Sequence, residues 1–356
     1  MDCPTEIYQL VFDLLNLPSQ LNFIAITPFI EKYIFIRDLF DIDNKYRIND
    51  DIITQKKFAY VTKLMSRNIT KLDSMINLKM LYVSPNIILE QHDINKLNLI
   101  EMYMPYNKSI LNFNHMSKLR ILNINENNKI DQTCIEKLNL IKLNISRTRK
   151  ITKINHMKNL KILRAECDCD IDQAAIEGLD LIELYACGNK KINNVNHMKN
   201  LKILYACGDC GIDQRGIDKV NLIKLKARCN NKIANVNHMT NLEILFAEFN
   251  CGIDQVGINN LNLIVIHIRG NHTIKNLNHM ANLKKIFIAH TSIKQKGIID
   301  INPIELDVSG NCLISDLNHM SNLKKLVACG KCGISQASIS NLVLDKLEIR
   351  GNPNFD

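Results

Sequence analysis

The chain has 356 residues, 46% of them hydrophobic, with a formal net charge of +9 that is unevenly placed: residues 1–57 hold 6 Lys/Arg against 9 Asp/Glu. Gly and Pro are sparse, and no apolar run approaches the roughly 18 residues of a membrane span. The opening MDCPTEIYQL carries acids without a basic n-region, which excludes the pattern of a secretory signal or transit peptide.

Residues 1–40 follow helix logic. Pro4 suits a first helical turn, and Ile7, Leu10, Val11, Leu14 and Leu15 make one apolar stripe at helical spacing. Pro18 ends that helix and a second is expected from Leu21 onward, interrupted at Pro28. The segment resembles an F-box in its Pro4-x-Glu6-Ile7 opening, the Val11-Phe12 pair, Leu15, Leu21 and Ile24, and the run through Phe29, Tyr33 and Ile34. It departs from that pattern at Cys3, where Leu is usual, and lacks the Cys and Trp common late in the motif. The resemblance implies docking to a Skp1-type adaptor of a cullin ubiquitin ligase through Pro4, Ile7, Val11, Phe12, Leu15, Leu21 and Ile24. The same helices would also serve as the N-terminal cap that a solenoid requires. Residues 41–57 are polar and read as a linker or cap.

Residues 58–356 repeat. An Asn-His-Met motif places His at 115, 156, 197, 238, 279 and 319, at intervals of 41, 41, 41, 41 and 40 residues. A period this regular means one unit stacked on copies of itself. Within it, every 20 or 21 residues carry the frame Leu-x-x-Leu-x-Leu-x-x-Asn, from a weak start at Phe58 through Leu78 and Leu99 to Leu344. This resembles leucine-rich repeats over about five-sixths of the chain. The expected fold is an α/β repeat solenoid: about 14 curved coils plus the weak first one, with a concave parallel β-sheet, preceded by the short all-α F-box-like element. About ten residues remain for each return side, enough for a single helical turn. Asp172, Asp213 and Asp254 are placed to cap such turns, as is Asn196, while the Asn before most frame starts (Asn98, Asn221, Asn262) suggests a ladder at one corner.

The repeated His and Cys do not make a site on spacing grounds. Equivalent residues in alternate coils lie about 10 Å apart, too far to share a zinc ion or a disulfide. Cys169, Cys210, Cys251 and Cys332 are therefore read as reduced, buried side chains of a cytoplasmic protein, with no metal and no cofactor. Adjacent-coil Cys187 and Cys207 can approach closely, so oxidation stays open for them. The Cys207/Cys210 and Cys329/Cys332 spacings match CxxC, yet the pairs are 122 residues apart and each leaves a strand. No phosphate loop or nucleophile–base pair is apparent, so no enzyme is expected.

What varies from coil to coil is the outward strand face. Tyr82, Tyr103, Arg164, Tyr185, Tyr205, Lys224, Lys226, Arg228, Phe246, His267, Arg269 and Phe287 fall there, the residue types that anchor interfaces. A protein target on the concave face is expected. Nucleic acid is disfavoured because Glu166, Glu183, Glu248, Glu305 and Asp307 share the face and would repel phosphate. The Ile-, Asn- and Lys-rich composition is similar to that of repeat proteins of amoebae and large DNA viruses, implying a cytoplasm, the host's if viral.

Overall fold

Strands that alternate one buried Leu or Ile with two outward residues can bury their apolar side only against equivalents in neighbouring coils. The computed structural model describes residues 15–16, 18–21, 36–41, 50, 60–66, 69, 71–72, 75–85, 89–107 and 109–355. They fall into two units, Met1–Leu179 and Asp180–Asp356.

Among the described residues of the first unit, seven strands follow in chain order: β1 (Asp38–Asp41), β2 (Lys63–Ser66), β3 (Met80–Val83), β4 (Glu101–Tyr103), β5 (Ile121–Asn123), β6 (Lys142–Asn144) and β7 (Ile162–Arg164). Each pairs in parallel with the next, so that Leu64, Leu81, Met102, Leu122, Leu143 and Leu163 form one buried row. In the second unit, nine strands do the same: β8 (Glu183–Tyr185), β9 (Ile203–Tyr205), β10 (Lys224–Lys226), β11 (Ile244–Phe246), β12 (Val265–His267), β13 (Lys285–Phe287), β14 (Glu305–Asp307), β15 (Lys325–Val327) and β16 (Lys346–Glu348). This is the parallel repeat solenoid expected from the 20/21-residue frame.

Two boundaries move. Among the described residues, strand pairing begins at Asp38–Asp41, inside the segment expected to be helical and linker, because Ile36 and Leu39 are buried and β1 pairs with β2. The frame of the next coil starts at Val61 rather than Phe58. Val61 and Leu64 take the buried places, while Lys63 turns outward to pair with Asp38 at 3.0 Å.

Return sides are short, as the residue count requires. They hold α1 (Gln91–Ile94), α2 (Gln173–Ile176) and 3₁₀ turns at Gln132–Cys134, Val256–Ile258, Gln295–Gly297 and Ala337–Ile339. The Asp caps form: Asp172 accepts from Ala175 N at 2.9 Å, Asp213 from Gly216 N at 3.0 Å and Asp254 from Gly257 N at 2.9 Å. Gly216 is required by proximity, since a Cβ there would meet the carbonyl oxygen of Asn193 in the preceding coil. From β4 onward the third residue past each strand turns through the left-handed region: Gly188, Gly208, Gly270 and Gly310 in some coils, but Arg147, Cys229, Phe249 and His290 in others. No helix among the described residues is long and apolar enough to cross a membrane.

Candidate functional site

In the second unit the outward residues at the ends of β8 to β13 stand in register: Tyr185, Tyr205, Lys226, Phe246, His267 and Phe287. Parallel strands sit about 4.8 Å apart, which is close to the separation that stacked rings prefer. Tyr185 and Tyr205 accordingly have ring centroids 4.5 Å apart, and His267 stacks between Phe246 and Phe287 with centroids 4.0 Å away on either side. Lys226 interrupts the rings without breaking the row. Its Nζ lies 5.4 Å from the Tyr205 centroid and 5.5 Å from that of Phe246, and Lys224, one row over, lies 5.3 and 5.5 Å from the same rings.

The electrostatics follow from that crowding. Burial, then Lys226 and Lys224, push the His267 imidazole down to about 4 against the pull of Glu305 and Asp307, so the ring is neutral at physiological pH. Acids close both ends of the patch: Tyr185 Oη donates to Glu183 at 2.8 Å, and Lys285 pairs with Glu305 at 3.0 Å.

In the first unit Tyr82 and Tyr103 are ring neighbours at 6.2 Å, and Tyr103 donates to Glu101 at 3.1 Å. Burial and the Glu101 carboxylate raise the Tyr103 phenol above its ordinary value. Arg164 ends β7, half-buried in the same outward row as Asn123 and Asn144. Arg228 and Arg269 lie past the strand ends and are exposed, with the Arg228 guanidinium 4.7 Å from the Phe249 ring centroid. Phe249 was missed by sequence reasoning. It is a left-handed turn residue, a position whose recurrence three places after each strand could have marked it as outward. Together with Asn250, Arg269, His272 and His290 it lines a cleft of about 560 Å³. Of the residues that the F-box resemblance assigns to an adaptor, Leu15 and Leu21 are half-buried, and Pro4, Ile7, Val11, Phe12 and Ile24 lie outside the described residues.

The repeated motifs hold coils together. His115, His238, His279 and His319 each place Nε2 3.1–3.2 Å from a carbonyl of the preceding coil. Asn196 is not the cap it was expected to be. Its Nδ2 donates to Arg215 O at 2.7 Å and its Oδ1 accepts from Lys219 N at 2.8 Å, so it splices its coil to the next one, while Asn194 accepts the Asn196 N–H. Gln of the Ile-Asp-Gln motif makes the alternate splice. Gln214 Oε1 accepts from Ala234 and Asn235 N–H at 3.0 and 2.9 Å, and its Nε2 donates to Asn235 O at 2.9 Å; Gln91, Gln132, Gln255 and Gln295 likewise accept from the following coil.

The exposed Asn corner forms as expected: Asn221 accepts from Asn241 N at 2.9 Å and Asn262 from Asn282 N at 3.0 Å. A second ladder, of buried Asn closing the frame, was not foreseen. Asn230, Asn271 and Asn352 each donate Nδ2 to two carbonyls of the preceding coil at 2.9–3.1 Å. Cys210, Cys251 and Cys332 line the same corner in the intervening coils, where burial pushes the Cys210 and Cys251 thiols up to about 11. The Cys207/Cys210 pair is split between the outward and buried sides.

No family model matches the sequence, and no curated protein does. Solved structures do resemble it. The functional domain of InlJ from Listeria monocytogenes superposes with a TM-score of 0.51 at 19% identity, over 80% of this chain and 66% of that one. The internalin InlF of the same organism gives 0.51 at 17% identity, over 77% and 89%. The fold is that of leucine-rich-repeat proteins. This chain spans 66% of the InlJ chain's length. A leucine-rich-repeat protein of Leptospira interrogans also aligns over 93% of both chains, with a TM-score of 0.47 and 14% identity. At the identities of the two internalins the likeness is one of fold alone.

Proposed function

We propose that this chain is a non-catalytic protein-binding module that holds a target through the outward sheet face of Asp180–Asp356. The observation that carries the reading is the contiguous row Tyr185, Tyr205, Lys226, Phe246, His267 and Phe287. Rigid aromatic side chains with few rotatable bonds lose little entropy on contact, and lysines held over the rings add charge to an apolar surface. Tyr82, Tyr103 and Arg164 extend the same outward chemistry in the first unit. The fuller form of the proposal is a substrate receptor whose F-box-like N-terminus docks a Skp1-type adaptor. The alternative is a stand-alone scaffold whose N-terminal residues only cap the solenoid.

Purified full-length chain is mixed with a Skp1-type adaptor and, separately, with the protein that co-purifies with it. The receptor reading expects adaptor binding that Leu15→Asp abolishes and the double variant Tyr205→Ala/Phe246→Ala leaves intact. The same double variant should lose the target by about 1,000-fold, as two hot-spot truncations of about 2 kcal/mol each imply. No adaptor binding overturns the receptor and leaves the scaffold; target binding unchanged by the double variant overturns both. A steep fall of affinity with salt would instead indicate nucleic acid.

A further inference from the structure

Beside the aromatic row lies a pair of thiols that the binding face does not use. The register of β8 with β9 sets Tyr185 against Tyr205 and continues past the strand ends. Ala186 N donates to Tyr205 O at 2.9 Å, and Gly188 N donates to Cys207 O at 3.0 Å, so Cys187 and Cys207 are direct neighbours in adjacent coils. Ala186 and Ala206 are buried, which turns both cysteines outward with the tyrosines; each is half-buried, reachable by a small molecule. Neighbouring parallel strands place Cα atoms about 4.8 Å apart, inside the roughly 4.4–6.8 Å window of a disulfide.

We propose that Cys187 and Cys207 form an oxidisable dithiol, a modification site that a hydroperoxide converts to a disulfide clasp between adjacent coils. The two thiols share a hydrogen bond. That bond lowers Cys207 below its ordinary value against the effect of burial, helped by the Lys226 ammonium and the Arg228 N–H. The nucleophile is the Cys207 thiolate. It attacks the peroxide, breaking the O–O bond, taking one oxygen as sulfenic acid and releasing hydroxide. The Cys187 sulfur then attacks that sulfur, and the S–OH oxygen leaves as water with the Cys187 proton. Peroxide is reduced by two electrons and the two thiols supply them.

Cys210, Cys251 and Cys332 are internal controls, since burial raises their thiols and turns them from the oxidant. Cys169, Cys210 and Cys251, in alternate coils, are about 10 Å apart and cannot join.

The test is treatment of the folded full-length chain with a few equivalents of hydrogen peroxide, alkylation of remaining thiols, and mass spectrometry without reduction. One reducible cross-link, with loss of two hydrogens, is expected between the peptides carrying Cys187 and Cys207, and fragmentation should assign it to those two residues. It should vanish in C187S and in C207S and persist in C210S. Because fragmentation reads the unaltered protein, a misfolded variant does not decide the matter. A Cys207–Cys210 bond, a cross-link surviving in C207S, or oxidation confined to exposed Cys229 and Cys312 overturns the proposal.

Discussion

Replacing Asn271 by Ala should destabilise the chain far more than any exposed Asn. The side chain is 1% exposed. Its Nδ2 donates to Ala247 O and Ile253 O at 2.9 and 3.0 Å, and its Oδ1 accepts from Thr273 N and Ile274 N at 2.9 and 3.2 Å. Alanine leaves these backbone groups without their amide partner in a dry corner. Ile253 O keeps a contact from Thr273 Oγ1 at 3.4 Å, and exposed Thr273 can reach water. That leaves about two groups stranded at roughly 1–3 kcal/mol each, for a loss of about 4 kcal/mol. Asn262→Ala is the control, since it removes one exposed bond and should cost about 1 kcal/mol or less. Asn271→Asp preserves size but cannot donate, so it should be at least as damaging as Ala at neutral pH. Urea unfolding followed by far-UV circular dichroism compares the three. If Asn271→Ala lies within 1 kcal/mol of Asn262→Ala, the buried ladder does not hold the coils as argued.

Gly216→Ala drives a Cβ into the Asn193 carbonyl and should cost about 1–3 kcal/mol in the same assay. Gly208→Ala, at φ +61 with open space around it, should cost only the left-handed strain of about 1 kcal/mol; equal losses would refute the close-approach account. His267 should titrate near 4 by proton NMR rather than at the ordinary 6.5. Between those values the unfolded chain binds the proton first, so this residue's contribution is complete above pH 6.5 and is lost as pH falls toward 4. His267→Phe should flatten that part of the stability profile, and an NMR value at or above 6 would remove its basis.

The solenoid was legible because its signal is redundant: a buried Leu or Ile recurs at one place in nearly every coil, and one weak copy does not obscure the period. Where the copies diverge, legibility falls. Phe58 and Lys63 misplaced the first frame because polar residues interrupt it, and only strand pairing shows that Val61 and Leu64 are the buried pair. The Gln and Asn splices escaped for another reason. Gln214 and Asn196 are polar residues on exposed turns, and nothing along the chain indicates that their partners lie in the next coil, about 20 residues on. The aromatic row was foreseen residue by residue, but its continuity was not. That Lys226 bridges two rings rather than separating them depends on side-chain reach.

The two splices carry a consequence for how such a chain changes length. Gln91, Gln132, Gln214, Gln255 and Gln295 lead from one coil type into the other, and Asn114, Asn196, Asn237, Asn278 and Asn318 lead back. Excising a single coil would set two like edges against each other, each offering the wrong amide to the wrong carbonyl. Excising the pair restores every junction. Gene-level duplication or loss in such a chain should therefore be tolerated in quanta of about 41 residues, and an intermediate of half that size should fail to fold through its junction.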